Sequence, residues 1–102
     1  GRVEALKRTV PVVARIKDLP LGSFRGVADG RSYLVTRSIF SDGRAIKLVG
    51  QELGGRDYIS LNLYELSRGP QLYPCEMPSA KVIDFVRAFR PDAPERAAQT
   101  RY

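Results

Sequence analysis

With 102 residues, a net charge of +6 and a hydrophobic fraction of 43%, the chain has the composition of one folded domain with a modest core. It holds no histidine and one cysteine, Cys75, which removes His- and Cys-built zinc sites, His-activated nucleophiles and any internal disulfide. No apolar run approaches the roughly 18 residues that a membrane-spanning helix needs.

The charge is lopsided. Through Lys47 there are ten Lys/Arg against four Asp/Glu, and from Leu48 onward seven against seven, so the whole excess lies in the first half. Such an asymmetry favours nucleic acid or another polyanion as partner. No Asp/Glu constellation or nucleophile motif stands out, so neither an enzyme nor a cofactor is expected. The lone thiol fits a reducing, cytoplasmic compartment, and its place between Pro74 and Glu76 reads as packing.

Residues 1–9 are polar and basic and read as a flexible segment or frayed helix. Pro11 suits the first turn of a helix with Thr9 as its cap, and Val12, Ile16 and Leu19 recur at helical spacing to about Asp18. The β-branched Val10, Val12 and Val13 leave a strand as the rival reading. From Ser23 the turn signals become regular: Asp29-Gly30, Asp42-Gly43, Gly54-Gly55 and Arg68-Gly69-Pro70 fall about 12 residues apart. Between them lie the strand candidates Phe24–Val27, Tyr33–Phe40, Arg44–Leu53 and Tyr58–Leu66, followed by Gln71–Cys75, which Pro74 confines to an edge or strand end. Val82, Phe85, Val86 and Phe89 then mark an amphipathic helix, with Ser79 as candidate cap and Pro91 as its stop.

The expected fold is α+β: an antiparallel four- to five-stranded meander, a C-terminal helix packed on one face, and a short N-terminal helix or arm. One domain is expected over 10–90, with a disordered tail over 91–102. Strict alternation in Tyr58–Tyr64 puts Ile59, Leu61 and Leu63 on the core face and Tyr58, Ser60, Asn62 and Tyr64 on the other. If Ile46 and Leu48 are core, Lys47 and Gln51 join the open face. Tyr33–Phe40 is ambiguous, since either alternate set suits a core.

The open face predicts nucleic-acid binding, favouring single strands: Tyr58 and Tyr64 to stack bases, Asn62 to bond their edges, and Arg37, Arg44, Lys47 and Arg56 to neutralise phosphates. The alternative is a protein-interaction or homodimerisation module built on the helix, with Val82, Ile83, Val86 and Phe89 shared with a second copy, or on a sheet edge. No membrane or small-molecule partner is indicated.

From Arg44 to Phe89 the order of elements resembles the single-stranded-DNA-binding transcriptional coactivator (positive cofactor four) family. The likeness comprises a strand with a basic residue, the turn Gly54-Gly55-Arg56, the alternating strand Tyr58–Leu66, a charged loop with Gly69, a short strand, and the proline-initiated helix Pro78–Phe89. It implies a four-stranded sheet plus helix, dimerisation through that helix, and binding of unpaired DNA on the sheet without strict sequence preference.

Overall fold

A computed structural model describes residues 2–92, with side chains from Val10 onward. The fold is α+β. Helix α1 (Arg2–Asp18) leads into strands β1 (Gly22–Ala28), β2 (Arg31–Phe40), β3 (Ala45–Glu52), β4 (Tyr58–Leu66) and β5 (Gly69–Pro74), then helix α2 (Ser79–Ala88) and a two-residue strand β6 (Arg90–Pro91). The strands form one antiparallel sheet in the order β5-β4-β3-β2-β1-β6.

The hairpins follow the turn chemistry. Ala28 pairs with Arg31, so Asp29 and Gly30 form a two-residue turn with φ of 51° and 77°. Both central residues of that turn type need positive φ, which is why Asp-Gly serves there. Pro70 and Pro74, which cannot donate to a ladder, lie in the outermost strand β5.

Both helices cover one face. Val12 and Ile16 of α1, with Val82, Phe85 and Val86 of α2, pack on Tyr33, Val35, Ile46, Leu48, Ile59, Leu61 and Leu63. Each of those strand residues is buried, and the alternate positions point to the opposite face.

Several details depart from the sequence reading. The sheet has six strands because Arg90 and Pro91, expected to end a helix and begin a tail, pair with Val27 and Gly26 of β1. The expected disorder from 93 on lies outside the described residues. The backbone from Arg2 is helical and Pro11 sits mid-helix. An interior proline costs about 3 kcal/mol on its own, and burial of Val12, Val13 and Ile16 just beyond it carries the helix through. Ser79 is the first helical residue of α2, not its cap; Pro78 takes the cap position with no side-chain bond.

The α2 stripe expected to reach a second copy is core in the single chain. Val82 is 0%, Ile83 8%, Val86 2% and Phe89 1% exposed, so none offers a free surface. α1 packs beside α2. Arg15 of α1 fixes that arrangement, donating from Nε to the Val86 carbonyl (2.9 Å) and from Nη2 to the Phe89 carbonyl (2.5 Å). These are carbonyls that the end of a helix leaves without partners.

Phe89 packs on β1 where Gly26 has no side chain. A Cβ there would overlap the Phe89 ring and lie 2.6 Å from the Arg90 carbonyl oxygen. Gly26→Ala should therefore destabilise the fold by about 1–3 kcal/mol, the range for overpacking. Urea unfolding checks this, and the substitution should cost less in a Phe89→Leu background, where the ring is gone.

Candidate functional site

The uncovered face is set by register. Directly opposed residues share a face, so the ladder aligns Ser38, Lys47, Asn62 and Tyr73 in one row across β2–β5. The next row holds Phe40, Ala45, Tyr64 and Gln71. Toward the other end, Arg25, Leu34, Gln51 and Tyr58 align across β1–β4.

Ala45 shapes the aromatic part. Its small side chain lets Phe40 and Tyr64, two strands apart, lean together over it with ring centroids 5.9 Å apart, and Ala45 is left with 0% exposure. Tyr64 in turn meets Tyr73 at 5.5 Å, edge to face. The three rings form a continuous strip across β2 to β5, and Tyr73 remains 46% exposed. Beside it stand Lys47 and Asn62. Arg25 on β1 and Arg90 on β6 are the other cations on the strand positions of this face, which carry no carboxylate among the described residues.

Of the residues singled out from sequence, Lys47, Tyr58, Asn62 and Tyr64 are together on this face. Arg44 and Arg56 are exposed in the turns at opposite ends of β3, so they flank it. Arg37 is not part of it. Its parity is that of Tyr33 and Val35, and its side chain is buried under the helices, donating from Nη1 to the Leu19 carbonyl just past the end of α1 (3.1 Å). Phe40, Tyr73 and Arg25 were missed. Phe40 follows once the parity of β2 is known, and Tyr73 once β5 is registered against β4.

One polar atom on the face is unusual. Asn62 Oδ1 is buried and accepts no hydrogen bond.

A second cluster lies at the opposite edge of the core. A cleft of about 310 Å³ has a floor of Ala28, Ile59 and Phe85, with Arg31, Lys81 and Asp84 among its walls. Within it Tyr33 donates its hydroxyl to Asp57 Oδ2 (2.6 Å), and Lys81 Nζ pairs with Asp57 Oδ1 (2.8 Å). Lys81 also lies 5.8 Å over the Tyr58 ring. This network ties the β3–β4 turn to β2 and to the first turn of α2. Burial, reinforced by the Asp57 carboxylate, pushes the Tyr33 hydroxyl up to about 12. Bonds from Lys81 and Tyr33 hold Asp57 below its ordinary value.

Among the described residues no three His, Cys, Asp or Glu side chains gather as a metal site, and no helix is long and apolar enough to cross a membrane. No known protein family, curated protein or solved structure matches the chain.

The Tyr33–Asp57 pair sets two pH limits. Tyr33 has a raised folded value, so its stabilisation is complete below pH 10 and lost as pH climbs from 10 to about 12. Asp57 has a lowered one, so its contribution holds above 3.8 and is lost as pH falls through its folded value. Tyr33→Phe should cost about 1.5–3 kcal/mol at neutral pH, the net worth of a hydrogen bond to a charged group. It should also flatten the loss of stability between pH 10 and 12. Urea midpoints across pH check both effects.

Proposed function

We propose that this protein binds single-stranded nucleic acid on its open sheet face and acts without catalysis. The observation that carries this reading is the strip Phe40–Tyr64–Tyr73 beside Lys47 and Asn62, on a face whose described strand positions carry cations and no carboxylate. Aromatic rings offer unpaired bases a stacking surface worth about 1–3 kcal/mol per base. In a duplex the base faces are already stacked on one another, so this surface gains little from one. Lys47 and Arg25 within the face, and Arg44 and Arg56 at its ends, are placed to meet the backbone phosphates.

The pattern shared with the single-stranded-DNA-binding coactivator family supports the same reading. So does the excess of basic residues in the first half, which contributes Arg25, Arg44 and Lys47. The single cysteine and the nature of the ligand lead us to place its work in the cytoplasm.

Fluorescence anisotropy with labelled single-stranded and duplex oligonucleotides, at about 50 and 200 mM salt, tests the proposal over the range where phosphate contacts weaken steeply. Single strands should bind more tightly and keep part of their affinity at the higher salt. Tyr73→Ala should weaken that binding by about five- to a hundredfold, the cost of one lost stacking partner. Lys47→Ala should lower the salt slope by about one. Binding equal for both forms and abolished by salt would leave only non-specific charge and sink the reading.

A further inference from the structure

The unpartnered Asn62 oxygen goes beyond stacking. Asn62 stands midway along β4, one strand in from the sheet edge, between Lys47 on β3 and Tyr73 on β5 and two positions from Tyr64 on its own strand. Its Oδ1 is closed to solvent yet accepts no hydrogen bond. A buried acceptor left in that condition is a standing cost to the fold, one that native structures rarely carry. Around the amide stand the two tyrosines, held edge to face at 5.5 Å. Tyr73 belongs to the edge strand β5 and is 46% exposed, so its ring has no strand beyond it to hold it against Tyr64.

Resting on the single-strand reading above, we infer that Asn62 is a specificity-determining residue, selecting bases that carry an exocyclic amine over bases that carry a carbonyl at the same position. A base that enters between the Tyr64 and Tyr73 rings, in contact with both, comes to lie beside the Asn62 amide. An exocyclic amine then donates to Oδ1 and satisfies it. A carbonyl sets acceptor against acceptor and leaves the oxygen as it was, now facing a second lone pair. Sites with a buried polar group discriminate sharply against a ligand that fails to pair it. Cytosine and uracil separate the two cases at C4, since they share ring size and stacking surface and differ there between amine and carbonyl, with N3 an acceptor in cytosine and a donor in uracil.

The test is an anisotropy comparison of oligo(dC) and oligo(dU) of about ten nucleotides, within the range of single-strand site sizes, at neutral pH with the full chain. Wild type should bind oligo(dC) about tenfold more tightly, the ratio expected of one hydrogen bond gained. Asn62→Leu, which replaces the amide by an apolar group of similar size, should bring the ratio to one while raising the melting temperature, because the orphaned acceptor is gone. Asn62→Ala, carried in parallel, should lose the ratio as well and guards against misfolding of the leucine variant. Equal affinities in wild type, or a preference for oligo(dU), overturn the inference and leave the single-strand reading standing. A ratio that survives both substitutions overturns the assignment to Asn62. Absence of binding to either oligonucleotide overturns both proposals together.

Discussion

Everything on the covered side of the sheet is organised by the seating of Phe89 over Gly26. The ring occupies the space of a missing side chain on β1, flanked by Phe24 at 6.1 Å and stacked on Phe85 at 5.3 Å. Because Phe89 is the residue on which α2 ends, its position fixes where the helix stops and where the chain turns back to pair Arg90 and Pro91 with β1. The same terminus is where Arg15 arrives from α1, so one contact region sets the relation of both helices to the sheet. With both helices on one side, no element among the described residues covers the opposite side. The exposed aromatic strip is thus a consequence of the topology as much as of the residues that form it.

The strands were legible because two local signals agreed. Asp-Gly and Gly-Gly turns divide the chain at regular intervals, and Ile59, Leu61 and Leu63 alternate with polar or amphipathic residues that tolerate water. β2 was not legible in the same way. Its buried set contains Arg37 and its exposed set contains Leu34 and Phe40, the reverse of a simple polar-out pattern. What decides the parity is tertiary: the carbonyl of Leu19, just past the end of α1, receives the guanidinium. No local rule contains that residue. The extent of α1 before Pro11 was hidden for a related reason, since Pro11 signals a helix start and only packing beyond it argues for continuation. The two-residue β6 is too short to leave any pattern.

The site divides along the same line. Lys47, Tyr58, Asn62 and Tyr64 follow from alternation within single strands. Phe40 and Tyr73 join them only through register between strands, and the contact between Phe40 and Tyr64 depends on the small Ala45 between them. Turn cations such as Arg44 and Arg56 can be assigned to an end of the sheet but not to a row. The α2 stripe, expected to be shared with a second copy, is buried within the single chain. Its partner is α1, whose apolar positions were visible but whose placement was not.

Because β1 to β5 follow one another in the sheet as they do in the chain, each hairpin closes over a short loop and pays little chain entropy to form. The helices and β6 are different. Arg15 reaches Val86 across a separation of 71 residues, and Arg90 must return to Val27. The order of assembly that follows is a meander built by successive local pairings, then closed when the two ends of the domain meet on its back. Before that closure the apolar face of the sheet is open to water; after it the helices cover that face. The joining of the ends is therefore the step that distinguishes a chain prone to self-association from one that presents a single defined surface.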